Sequence, residues 1–182
     1  NLVNWLYLKE KRNAASFGEL TKFIEENKDY PRINRLKYLA EHKINLSSTS
    51  ASTIIGWFDT ETPLSGFGEI KLGEAYLAQG EAQRGAKLIK EGWIDADLTS
   101  SNLKFYRNKF KKIISTEDHI KRADYLAWNK KYWDLKRLLK YLPKDKRLLY
   151  NARQILMSNS YGVDNAISNV PASLKADVGL QY

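Results

Sequence analysis

Three places in the 182-residue sequence hold residue types that could do chemistry or bind a ligand. Asp118-His119 sets a carboxylate beside an imidazole, the two groups of an acid/base pair. Adjacent residues of a helix diverge by about 100°, so these two side chains leave on different faces. Asp118 is spaced to pair with Arg122 one turn later, and a structural role at a helix start fits better than proton transfer. Ser65-Gly66-Phe67-Gly68 is glycine-rich and precedes a helical pattern, where backbone amides can receive an anion. It lacks the Gly-Lys-Ser/Thr ending of a phosphate loop and any preceding strand, so it reads as a plain helix entry. The third place is a cluster of cations and indoles: Lys121, Arg122, Trp128, Lys130, Lys131, Trp133, Lys136 and Arg137. Indoles can stack on sugar rings or bases, and the cations can hydrogen-bond carboxylates.

Several reaction classes are excluded. The chain has no cysteine, which removes disulfides and thiolate chemistry. It has two histidines, His42 and His119, 77 residues apart, so a zinc site with three or four close ligands is not expected. No Gly-x-Ser-x-Gly nucleophile elbow occurs. No metal and no cofactor are expected.

The cluster lies within a charge anomaly. Residues 1–103 carry 13 Lys/Arg and 14 Asp/Glu, residues 104–153 carry 16 and 5, and residues 154–182 are net −1. One 50-residue block is therefore net +11, more than the whole chain's +9, a pattern that favours anionic partners. Nucleic acid is not expected, because no nucleic-acid-binding module or motif accompanies the charge. No apolar run approaches the ~18 residues of a membrane span, and Asn1–Lys11 has neither the basic start nor the cleavage site of a signal peptide.

The elements that must position these residues are helices. Hydrophobic content of 43% with 12% aromatics is that of a folded chain. Ile70, Leu72, Gly73, Tyr76 and Leu77 recur at helical spacing and stop at Gly80; Ala82, Ala86, Ile89 and Trp93 then step along one face of a second helix. Gly80 suits the left-handed position that closes a helix, and small residues at Gly73, Ala82, Gly85 and Ala86 allow close approach. Leu72-Gly73, Tyr76 and Gly80 follow the tetratricopeptide order. The pair Thr116–Asn129 and Lys131–Leu142 repeats this architecture about one and a half repeat lengths later. Trp93 falls on an apolar stripe and is assigned to the core.

The remaining patterns continue the series. Residues 2–11 read as a helix with Leu2, Trp5 and Leu6 inward. Ser16 and Glu19 form a capping box ahead of Phe17, Leu20, Phe23 and Ile24. Pro31 is placed at the first position of a third helix running through Ile33, Leu36, Ala40 and Ile44. The Ser47–Ser52 run ends in a cap for a helix holding Trp57-Phe58, and Asp59–Gly68 is a loop. Leu103, Tyr106 and Phe110 mark another helix. Leu148, Ala152 and Ile155 mark one more, and a turn-rich tail holds a short helix after Pro171. The fold class read from the sequence is all-α: an α-superhelix, or solenoid, of consecutive tetratricopeptide-like hairpins forming a single domain over residues 1–182.

In order along the chain, several landmarks resemble the helical superhelix of the soluble lytic murein transglycosylases. They are Ser16-Phe17-Gly18-Glu19-Leu20, Phe23, Tyr30-Pro31, Ala40-Glu41, Trp57-Phe58 with Pro63 and Gly66, then Leu72, Gly80 and Trp93. The most specific is Asp118-His119-x-x-Arg122-Ala123-Asp124-Tyr125-Leu126-x-Trp128, followed by Ala152-Arg153 and the closing Gly179-Leu180-Gln181-Tyr182. Lys90-Glu91-Gly92-Trp93 departs from the family's basic-x-Ala-Trp ending, and Leu135 stands where a small residue is usual. The resemblance implies a periplasmic bacterial scaffold acting on peptidoglycan. It also implies a parent enzyme that cleaves the β-1,4 bond between N-acetylmuramic acid and N-acetylglucosamine, leaving a 1,6-anhydro product. The family's single catalytic Glu, which acts as acid and then base, belongs to a Glu-Ser motif in a separate C-terminal domain. Here no Glu is followed by Ser and the last Glu is Glu117, so no residue inherits that role and this chain is expected to be non-catalytic. The implied partners are glycan strands or stem peptides and the enzyme's own catalytic domain. The alternative is a tetratricopeptide-like interaction module that binds an acidic peptide.

Overall fold

Serine and threonine side chains start five of the helices. In the computed structural model, which describes residues 2–158 and 161–181, Ser16, Ser50, Ser65, Thr99 and Ser115 each accept a hydrogen bond from the backbone N–H three residues on. Ser16/Glu19 and Ser115/Asp118 close complete capping boxes, each satisfying two amides that the first turn leaves without partners. The helices are α1 (Leu2–Leu8), α2 (Phe17–Glu26), α3 (Ile33–Glu41), α4 (Ala51–Thr60), α5 (Gly66–Ala78), α6 (Ala82–Asp95), α7 (Ser100–Lys109), α8 (Thr116–Trp128), α9 (Tyr132–Leu138), α10 (Lys144–Met157) and α11 (Val163–Ser168). Short 3₁₀ turns occupy Leu139–Tyr141, Ala172–Leu174 and Val178–Leu180. Among the described residues there is no strand, and no helix is long and apolar enough to cross a membrane. The architecture is all-α and solenoid-like, with helices packed on their neighbours in sequence.

The chain divides into two compact units, Asn1–Gly92 and Trp93–Tyr182. In the first, α2 packs on α3 and α4 on α5 around Phe17, Leu20, Leu36, Ile54 and Tyr76. Phe17 meets Trp57 edge-on at 5.2 Å. The hairpin of α5 and α6 closes at Gly80, whose φ of +85° is the left-handed conformation expected there. Gly73 and Gly85 touch across it: a Cβ on Gly73 would stand 2.8 Å from the Gly85 carbonyl, and one on Gly85 2.7 Å from the Gly73 carbonyl. The unusual Gly92 has the same cause, since a Cβ there would meet the Gly66 carbonyl at 2.3 Å.

In the second unit α8 pairs with α9, and α10 packs on both and on α11. The turn between α8 and α9 reproduces the α5–α6 turn bond for bond, 50 positions later. Gln79 to Ala75, Gly80 to Leu77, Glu81 to Tyr76 and Ala82 to Gly80 become Asn129 to Tyr125, Lys130 to Ala127, Lys131 to Leu126 and Tyr132 to Lys130. The repeat predicted from Thr116–Leu142 is thus present in the backbone, and Lys130 (φ +54°) takes the place of Gly80.

Several local readings need correction. Leu2 and Leu6 are exposed and Leu8 is the buried residue of α1, because the helix ends too early to present a continuous stripe. Pro31 precedes α3, which begins at Ile33 behind a left-handed Arg32, and Ile44 is buried beyond the end of α3. The 59–68 loop is shorter than expected, with α4 running to Thr60 and α5 starting at Gly66. The tail contains α11, a helix not read from the sequence. Tyr182, the last of the closing landmarks, lies outside the described residues.

Candidate functional site

The glycine-rich entry Ser65–Gly68 does meet an anion, and the anion is the protein's own. Glu41 is fully buried at the end of α3. Its carboxylate accepts the Leu64 N–H at 2.5 Å and the Ser65 hydroxyl. A Cβ on Gly68 would fall 2.5 Å from the Glu41 carboxyl carbon, so this helix start closes around Glu41 only because residue 68 is glycine. Burial pushes the Glu41 carboxyl above its ordinary value of 4.5, and the hydrogen bonds from Ser65 and Leu64 oppose that rise. In the sequence Glu41 is only a landmark beside Ala40, with no signal of its burial, because its partners lie 23 and 24 residues away.

The Asp118-His119 pair is structural. Asp118 accepts the Ser115 N–H at 2.8 Å and the Ser115 hydroxyl at 2.7 Å. His119 points elsewhere, into a buried cluster, edge-on to Trp93 at 5.4 Å and near Tyr141. Burial, then the positive charge of Arg107, lowers its pKa to about 4. Arg122 does not pair with Asp118. Only 2% exposed, it donates to the carbonyls of Trp93 at 2.5 Å and Ala96 at 2.8 Å, closing the end of α6. Its guanidinium lies 5.2 Å from the fully buried Trp93 ring. Burial lowers the Arg122 pKa to about 10, still well above neutrality. Arg122 therefore leaves the set of ligand-facing residues.

The other seven candidates fall in different places. Trp128 is 48% exposed and stands between two cavities. One, of about 370 Å³, has Trp128, Lys130, Arg153, Leu156 and Met157 in its walls. The other, of about 480 Å³, is reached by Lys121, Asp124 and Tyr150. Arg153 ties the two together: its guanidinium lies 4.9 Å from the Trp128 ring and 5.2 Å from that of Tyr150, and it donates to Asp124 at 2.6 Å. Gly179 lies close beside it: a Cβ there would fall 2.2 Å from Arg153 Nε, so the guanidinium would have to shift. Trp133 is 65% exposed on α9, with Lys136 Nζ 5.3 Å from its ring. Lys131 and Arg137 are engaged internally, with Asp97 and with Asp134.

The arrangement offers an indole platform, a cavity large enough for one sugar ring, and cations beside both. It contains no nucleophile–base pair, and among the described residues no group of three or more His, Asp or Glu is placed to hold a metal ion. Sequence reasoning treated Arg153 and Asp124 as landmarks only. Asp124 and Trp128 are one helical turn apart and could have been paired on α8, but the approach of Arg153 from α10 has no local signature. No family model, curated protein or solved structure matches this chain.

Proposed function

We propose that this chain is the superhelical scaffold region of a soluble lytic murein transglycosylase. It holds peptidoglycan for non-hydrolytic cleavage of the glycan by a catalytic domain elsewhere in the enzyme, in the bacterial periplasm. The observation that supports this reading best is the meeting of the most specific landmarks at one place. Asp124, Trp128 and Gly179, spread over 56 residues of sequence, each meet Arg153, and Trp128, Arg153 and Gly179 line one cavity. The half-exposed indole can stack on a sugar face, and Lys130 beside it can bond the carboxylate of a lactyl group or stem peptide.

Purified sacculi incubated with the chain are expected to retain it without releasing 1,6-anhydromuropeptides. Trp128→Ala is expected to weaken that retention about five- to tenfold. Release of anhydro products by the chain alone overturns the scaffold role, and unchanged retention by Trp128→Ala overturns the site. The second reading, a tetratricopeptide-like module for an acidic peptide, draws on the solenoid-like hairpins and the positive charge of residues 104–153. Retention on immobilised acidic peptides but not on sacculi, compared at two salt concentrations, would select it.

A further inference from the structure

The basic block begins with a helix that none of this uses. From Leu98 to Thr116 there are five Lys/Arg and no Asp or Glu. Alpha-helix α7 fills the middle of that stretch, and Leu103, Tyr106 and Phe110 anchor it in the second unit, each 5% exposed or less. Lys104, Lys111 and Lys112 are exposed on the helix and on the turn after it. None of the three has a carboxylate partner among the described residues. Among them stands Phe105, 54% exposed, with Lys109 Nζ 5.6 Å from its ring. None of these residues lines the cavities around Trp128.

We infer that α7 and the turn after it form a contact surface for a membrane bearing anionic phospholipid. Two features of the patch select that partner. Lysines without carboxylate partners on a fixed helix and its following turn attract a surface dense in phosphate, each adding to the attraction within a Debye length. A half-exposed phenylalanine among them gains nothing from a purely polar anionic polymer. It does gain from a layer in which acyl chains lie just beneath the charged headgroups, where aromatic side chains settle. The helix lies on the membrane without crossing it, held by the packing of Leu103, Tyr106 and Phe110 behind it.

Flotation of the 182-residue chain with vesicles tests this, using pure phosphatidylcholine against phosphatidylcholine with 30% phosphatidylglycerol. The chain is expected to float with the anionic vesicles at low salt, to lose most binding by about 0.3 M salt, and to ignore the neutral ones. Lys104→Glu with Lys112→Glu is expected to lower the partition coefficient at least tenfold. Lys144→Glu with Lys175→Glu changes the net charge equally on other exposed positions of the same unit and is expected to lower it less than threefold. Phe105→Ser keeps the charge and is expected to lower binding about threefold. Circular dichroism of each variant checks that it is folded. No flotation with anionic vesicles, equal losses in the two double variants, or unchanged binding by Phe105→Ser overturns the assignment. Failure of sacculus retention does not bear on it, so the two readings fall separately.

Discussion

Replacing Gly68 by alanine probes the buried carboxylate under α5. At an ordinary helical position this change stabilises by about 0.5–1 kcal/mol, because alanine is the better helix former. Gly56, inside α4, has nothing within 4 Å of a Cβ position, so Gly56→Ala is expected to gain that amount. At Gly68 the new methyl would sit 2.5 Å from the Glu41 carboxyl carbon and 2.6 Å from Oε2. The carboxylate must then withdraw from Leu64 N–H and the Ser65 hydroxyl. A buried group that loses its partners in this way costs about 1–3 kcal/mol, and more when charged. After subtraction of the helix-propensity gain, Gly68→Ala is expected to destabilise by about 1–2 kcal/mol. In a Glu41→Ala background the obstacle is gone, and the same change becomes neutral or stabilising. Urea unfolding of the four proteins of this cycle, followed by circular dichroism, yields the coupling energy directly. Additivity within about 0.5 kcal/mol would refute the reasoning. The pH dependence has a definite sign. The folded-state pKa of Glu41 lies above 4.5, so the folded form binds the proton more tightly than the unfolded one. The stability of wild type relative to Glu41→Gln is therefore greatest below pH 4.5 and declines as the pH rises through the folded value.

Other sites offer independent tests. Arg122→Ala is expected to destabilise by about 3–5 kcal/mol, because it exposes two buried carbonyls and leaves a cavity beside Trp93. Arg122→Lys should recover only a minor part, since one ammonium cannot span both carbonyls; full recovery in thermal melts would contradict the guanidinium bridge. For His119 the folded pKa of about 4 lies below the ordinary 6.5. Its contribution to stability is thus complete above pH 6.5 and is lost as the pH falls toward 4, amounting to about 3 kcal/mol. Its ring proton resonances should not titrate between pH 8 and pH 5, and a midpoint near 6.5 would show the ring to be solvated. Lys130→Gly should raise stability by about 0.5–1 kcal/mol by relieving the left-handed backbone while weakening retention on sacculi. A loss of stability in calorimetry would show that the side chain, not the backbone, holds that turn.

How much of this was legible in the sequence depended on how local each determinant was. The capping box at Ser16, the left-handed glycine at Gly80 and the small residues at Gly73 and Gly85 are fixed by neighbours within a turn or two, or by one hairpin, and are legible in the sequence. The second capping box, Ser115 with Asp118, is found only in the structure. Arg122 was misassigned because spacing to Asp118 is local information, whereas the carbonyls it caps lie 26 and 29 residues away. Trp128 and Trp133 were picked for their cationic neighbours and are exposed, as that reading requires.

The sequence alone determined that the chain is all-α, where its Ser16- and Gly80-marked helix ends fall, and that a second hairpin echoes the first, because periodicity and caps act over a few residues. Tertiary structure alone decided which charges face solvent and which are spent inside. Glu41, Arg122 and Arg153 look in sequence like ordinary surface charges. Each is buried against groups more than 20 positions away, and only the folded chain brings those partners within hydrogen-bonding distance.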